Sequence, residues 1–174
     1  MRRISVAGAS GAGKTTVGRA LAERLELPFV ELDALCHEAG WQEAPDDVFR
    51  ERVEAAIAAA PDGWVIDGNY GRKLSDLVLE RADTLVWLDI ALNVCLRRLW
   101  RRTWGRILRG EELWNGNRES LRTAFFARDS LFLWAVTSHR PRRRTLPERL
   151  ARHRHLDVVR LRSPEEVERW LRGL

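Results

Sequence analysis

Apolar and β-branched residues gather in five short runs, Ile4–Ala7, Phe29–Leu32, Trp64–Ile66, Thr84–Leu88 and Asp157–Leu161. The runs are continuously apolar rather than alternating, the pattern of strands buried on both faces. Helical periodicity fills the intervals at about 14–25, 46–60, 72–82, 92–108, 117–138, 147–154 and 164–172. The last of these opens on Ser163-Pro164-Glu165-Glu166, a capping hydroxyl, a proline in the first turn and acidic residues at the positive helix end. Strand and helix alternate throughout, which predicts an α/β fold with three layers, a five-stranded parallel sheet between helices. Ligands on such sheets bind at the carboxyl ends of the strands. One stretch breaks the pattern: Gly105, Gly110, Asn115, Gly116 and Asn117 lie among charged and tryptophan residues. Residues 104–118 therefore read as an exposed lid on one domain that spans 1–174.

The composition agrees with this outline. A chain of 174 residues, 45% hydrophobic, can bury a core without disulfide or metal staples. No uncharged stretch exceeds ten residues, too short for a membrane-spanning helix. Cys36 and Cys95 stand alone without ligand spacing, which argues against a zinc site or disulfide framework and for a reducing, cytoplasmic setting. Charge changes the picture more. Residues 1–90 hold ten Lys/Arg against sixteen Asp/Glu, whereas 91–174 hold twenty against nine, so the net +5 is −6 in one half and +11 in the other. The second half draws anions, be they phosphorylated small molecules or nucleic acid. Of thirty basic residues only Lys14 and Lys73 are lysines.

Lys14 sits in Gly8-Ala9-Ser10-Gly11-Ala12-Gly13-Lys14-Thr15, a match to G-x-x-x-x-G-K-[ST] placed between a strand and a helix. Glycines let backbone N–H groups curl around phosphate, and the helix adds its positive amino end. A lysine ammonium reaches the β- and γ-phosphates, the Thr15 hydroxyl ligates Mg²⁺, and Thr16 continues the cradle. The motif specifies a nucleoside triphosphate such as ATP but not a reaction.

The loop, together with Leu32-Asp33, Gly40-Trp41, Trp64-Val65-Ile66-Asp67-Gly68-Asn69-Tyr70, Arg81-Ala82-Asp83-Thr84, Cys95-Leu96-Arg97-Arg98 and Leu161-Arg162-Ser163-Pro164, resembles the adenylate-kinase-related family labelled topology modulation proteins, over nearly the whole chain. More distantly it is similar to nucleoside monophosphate kinases and to shikimate- or gluconate-kinase-like proteins. The resemblance implies a lidded parallel sheet, ATP with Mg²⁺, and phosphoryl transfer to a small acceptor, a nucleotide or nucleoside among the options; the label itself names no substrate. It also implies that Arg97 and Arg101, or the pair Arg98 and Arg102, contact adenine and phosphates, with Arg118 and Arg122 closing from beyond the lid.

Asp67 stands at the end of the third apolar run, where the resemblance implies a Mg²⁺-water ligand and a turn-forming Asp-Gly is the plainer use. Arg72 follows as the counterpart of an acceptor-holding arginine. Asp33 ends the second run and either orients an acceptor hydroxyl and takes its proton or caps the next helix. Asp89 ends the fourth run and ranks below these two. His37 and Trp41 are placed to wall the acceptor pocket, although Trp41 also suits core packing. Arg97, Arg98, Arg101, Arg102, Arg106 and Arg109 crowd one segment with no acidic residue, and like charges at i,i+4 call for an anionic partner. Leu96, Trp100, Thr103 and Ile107 form its apolar face, and Arg140-Pro141-Arg142-Arg143-Arg144 reads as a solvated loop. A kinase, monomeric or homodimeric, is the favoured function. The rival is a nucleic-acid-binding regulator, which needs an exposed cationic surface over 140–154.

Overall fold

The computed structural model describes residues 1–110, 112–117 and 131–174. Five parallel strands, β1 (Arg3–Gly8), β2 (Phe29–Glu31), β3 (Trp64–Asp67), β4 (Thr84–Leu88) and β5 (Asp157–Leu161), form one sheet in the order β2-β3-β1-β4-β5. The central strand β1 pairs with β3 from Arg3↔Trp64 and with β4 as far as Gly8↔Leu88. Three strand ends thus meet beside the glycine-rich loop. Side chains divide by face. Ile4, Val6, Val65, Val86 and Leu88 pack under α1 (Lys14–Leu25) and α7 (Pro164–Arg172). Trp64, Ile66, Leu85 and Trp87 pack under α3 (Asp46–Ala58), α4 (Leu77–Arg81) and α6 (Leu131–Leu150).

Most element boundaries follow from local chemistry. Helix α7 begins where Ser163 Oγ accepts from Glu166 N–H at 3.2 Å, a hydroxyl cap on an otherwise orphan donor. Helix α1 ends on Glu26 in the left-handed conformation, its N–H turned back to the Ala22 and Glu23 carbonyls. The second lysine, Lys73, ties the turn after β3 to the segment entering α3 through Glu43 (3.0 Å) and Asp46 (3.1 Å).

Four expectations change. Strand β2 stops at Glu31, and Leu32–Cys36 winds into α2, so Asp33 lies in the first turn of a short helix. The helix expected over 72–82 is confined to Leu77–Arg81. The basic run 140–144 is no loop: α6 passes through it with Pro141 and Pro147 inside, Arg142 reaches the Gly8 carbonyl, and the half-exposed Arg143 holds buried Asp89. Finally, α5 (Leu92–Arg109) takes in residues 104–109 of the expected lid and buries Cys95, Leu99 and Thr103. That face lies one position from the expected one, because the Cys95 carbonyl is pressed against Gly11 of the loop. Trp100 is left 49% exposed, edge-on to Trp104 and Phe132.

Asp89, just past β4, is wholly inside the protein and holds Arg143 of α6 and Arg160 of β5, the latter at 2.6 Å. The Arg160 guanidinium also lies 4.2 Å over the Trp87 ring. Its carboxylate is therefore committed to joining sheet and helix.

Candidate active site

The glycine-rich loop leaves β1 at Gly8 and enters α1 at Lys14. Gly11 has φ +80°, and a Cβ there would run into the Cys95 carbonyl; Gly13, at φ +101°, starts the helix in a left-handed conformation. Three side chains brace the loop. Asn69 clasps Gly8, donating from Nδ2 to its carbonyl at 2.5 Å while Oδ1 accepts its N–H at 3.4 Å. Arg98 donates to the Ala12 carbonyl at 3.1 Å, and Arg142 reaches the Gly8 carbonyl at 3.4 Å. Ala9 and Ala12 are buried, whereas Ser10 and Lys14 are partly open and Thr16 is exposed.

Two carboxylates face Lys14, Asp33 from the start of α2 and Asp67 from the end of β3. Burial lowers the Lys14 pKa; Asp33 and Asp67 oppose that, and Arg142 and Arg102 reinforce it. Asp67 is 1% exposed. Burial pushes its pKa up to about 6 against the pull of Lys14 and a hydrogen bond from Thr15. Its Oδ2 has no hydrogen-bond partner among the described residues. The Thr15 hydroxyl also points to Glu31 Oε1 at 3.4 Å. A buried carboxylate oxygen left over beside a threonine hydroxyl suits a hard cation that takes its other ligands from phosphates and water. In keeping with this, the described residues hold no cluster of three or more acidic, His or Cys side chains fit to bind a metal alone.

Asp33 caps nothing. Its Oδ1 accepts the Tyr70 hydroxyl at 2.6 Å, and that hydroxyl lies 3.3 Å from His37 Nε2. The His37 ring stacks on Trp114 (6.0 Å, 20°) and meets Trp41 edge-on at 5.7 Å. Residues 112–117, the described remainder of the expected lid, are clasped to this corner. Asn117 accepts the Trp41 N–H and donates to the Glu38 carbonyl, both at 2.8 Å, and Asn115 donates to the His37 carbonyl at 2.5 Å. A cavity of about 100 Å³ opens between the Gly68–Gly71 loop and α6, with Leu32, Leu74 and Leu146 as walls and Asn69, Tyr70 and Arg142 among its polar groups. Burial lowers the Arg142 pKa, and no carboxylate pairs with it among the described residues.

Lys14, Thr15, Asp33 and Asp67 thus converge, with His37 and Trp41 alongside. Arg72 instead lies exposed on the turn after Tyr70. Arg97 and Arg101 are exposed on α5, and the neighbouring edge, Arg98 and Arg102, faces the loop. Arg118 and Arg122 lie outside the described residues. Glu31, Asn69, Tyr70 and Arg142 belong to the site although no spacing rule singled them out as chemistry.

A family model for shikimate kinase matches residues 10–154. The chain belongs to the shikimate kinase family. Among relatives, the shikimate kinase of Sulfurihydrogenibium sp. is 33% identical over 111 residues, 57% of this chain and 67% of that one. That of Ruegeria pomeroyi is 30% identical over 143 residues, 75% and 71% of the two chains. A solved shikimate kinase from Acinetobacter baumannii in complex with shikimate superposes with TM-score 0.60 at 18% identity, covering 99% of this chain and 90% of that one. A gluconokinase from Sinorhizobium meliloti does so with TM-score 0.53 at 18% identity, over 98% and 87%. These likenesses carry the P-loop kinase fold, and the family makes the chain an ATP-dependent phosphotransferase acting on a small acceptor. The narrower resemblance to topology modulation proteins is not what the matches support. The matches give the regulator reading no support. Within 140–154, Arg143 pairs with Asp89, Arg149 and Arg152 pair with Asp76, and Arg142 reaches the Gly8 carbonyl, while Arg140, Arg144 and Arg154 stay exposed.

Proposed function

We propose that this shikimate-kinase-family chain moves the γ-phosphoryl group of ATP onto a hydroxyl of a small hydroxylated carboxylic acid of the shikimate kind. The observation that carries it is the convergence of one ammonium and two carboxylates, Lys14 between Asp33 and Asp67, where a phosphate loop ends. In this reading the N–H groups from Gly8 to Thr16 and the Lys14 ammonium hold the phosphates, with Arg98 and Arg102 over them from α5. Thr15 and Asp67 would hold Mg²⁺, which when bound would supply positive charge against the phosphates. Asp33 accepts the proton of the acceptor hydroxyl as its oxygen bonds to phosphorus and the bond to ADP breaks. Arg142, a guanidinium with no carboxylate partner among the described residues, meets the acceptor's acid group. The same reading has the enzyme working in the cytosol with its thiols free; both cysteines are buried and unpaired.

The test is a transfer screen from ATP over shikimate, other hydroxylated acids, nucleosides and nucleoside monophosphates, repeated with Asp33→Asn. Shikimate or a close analogue should respond. The variant should bind ATP as wild type does and transfer about 10²–10⁴-fold more slowly. Response by nucleosides alone, or full activity in the variant, sinks the assignment.

A further inference from the structure

We infer that Tyr70 is a positioning residue for this reaction. Its hydroxyl holds one oxygen of Asp33 and is itself backed by His37, so that the other carboxylate oxygen is presented to the acceptor. The inference rests on the reading of Asp33 as the group that meets the acceptor hydroxyl, and it adds a residue that reading does not require.

The geometry assigns the direction of the bonds. At 2.6 Å the Tyr70 hydroxyl proton lies on the line to Asp33 Oδ1, a charge-assisted bond. The phenol oxygen is then free to accept, from His37 Nε2, 3.3 Å away, with the buried Cys36 thiol beside it as a weaker second donor. That tautomer leaves Nδ1 bare, and Nδ1 is the His37 atom that is buried with no partner among the described residues. Each member is fixed from outside. The Tyr70 ring stands edge-on to buried Phe49 at 5.0 Å, and its carbonyl accepts the N–H groups of Lys73 and Leu74. His37 is held by the Trp114 ring and by Asn115 on its carbonyl. The sequence places Tyr70 three residues past Asp67, so one tight turn sets both the buried carboxylate and the phenol that orients its counterpart on α2. A carboxylate that must accept a proton within a narrow arc gains from such preorganisation.

Tyr70→Phe keeps the ring and its packing on Phe49 and deletes only the hydroxyl. With shikimate as acceptor, kcat should fall about 10–100-fold, the usual weight of a hydrogen bond to a charged group, while KM for ATP stays put. In an Asp33→Asn background the same change should cost less than about threefold, because Tyr70 acts through Asp33. A second readout needs no turnover. Tyr70 is the only tyrosine in the chain, so 3-fluorotyrosine labelling gives one ¹⁹F resonance, which should shift on Asp33→Asn. Three results overturn the inference: kcat within about threefold of wild type in Tyr70→Phe, losses that multiply fully in the double variant, or a ¹⁹F resonance unmoved by Asp33→Asn. If Asp33→Asn is itself fully active, the functional reading fails. If Asp33→Asn is crippled and Tyr70→Phe is not, only the role of Tyr70 fails.

Discussion

Replacing Asp67 with Asn should stabilise the ligand-free protein while destroying its activity. Burial raises the Asp67 carboxyl from its ordinary 3.8 to about 6, so the folded chain holds that proton more tightly than the unfolded chain. Between about pH 4 and 6 the native state therefore carries the extra proton, and stability falls as pH rises through that window. Above it the full penalty is present. A rise of about two pH units at about 1.4 kcal/mol each amounts to about 3 kcal/mol at pH 7. Asn has nearly the same shape and no charge, so it escapes most of that cost. For a chain of this length each kcal/mol moves the melting temperature by about 2–4 °C, which predicts a gain of roughly 6–12 °C at pH 7, shrinking to about 2 °C or less at pH 4. Thermal unfolding followed by circular dichroism, on protein freed of nucleotide and metal at each pH, reads the difference. In parallel, phosphoryl transfer with Mg²⁺ should drop at least about 100-fold if Asp67 is the charged ligand proposed above. A variant that melts no higher than wild type at pH 7, or whose gain is equal at pH 4 and 7, refutes the account of Asp67 as a carboxylate held at an energetic cost for a ligand.

Lys14→Ala should abolish transfer and weaken ATP binding while the protein melts no lower than wild type, because the buried ammonium serves the phosphates rather than the fold; wild-type turnover would disprove the loop assignment. Arg142→Gln should raise KM for an acidic acceptor about tenfold or more and leave the melting temperature unchanged or higher, since it removes a half-buried cation that no carboxylate among the described residues balances. An unchanged KM places the acid group elsewhere.

Much of this architecture is legible in the residues, and the rest fails for identifiable reasons. Runs rich in apolar residues mark the five strands, although β5 carries Asp157 and Arg160 and is mostly exposed, and the glycine-rich loop marks the turn from β1 into α1, because both signals are local. The run Arg140–Arg144 was unreadable by the same rules. A charged stretch containing proline looks solvated until its partners, Asp89 at the end of β4 and the loop carbonyl of Gly8, are known, and these lie 54 and 134 residues away. The face of α5 slipped for a related reason. Helical spacing allowed Trp100 inward, but contact between Gly11 and the Cys95 carbonyl set the rotation. Asp33 was expected at a strand end and lies instead in the first turn of α2, and its hydroxyl partner, Tyr70, is 37 residues on. Spacing rules also passed over Glu31, Asn69 and Arg142, whose roles come entirely from what the sheet brings beside them.

The strand order carries a consequence for synthesis. Strand β1, which bears the phosphate loop, is made first but sits at the centre of the sheet, and its neighbours begin at Trp64 and Thr84. At roughly 5–20 residues per second, β1 waits roughly 3–16 s for them, with both edges unpaired. Nucleotide cannot shorten that wait, because the cradle is braced by Asn69, the Cys95 carbonyl, Arg98 and Arg142, all of which are made later. Until Trp64 and Thr84 follow, β1 is thus open to pairing with foreign strands. The glycine-rich loop is made before every side chain that braces it and takes its shape only after them.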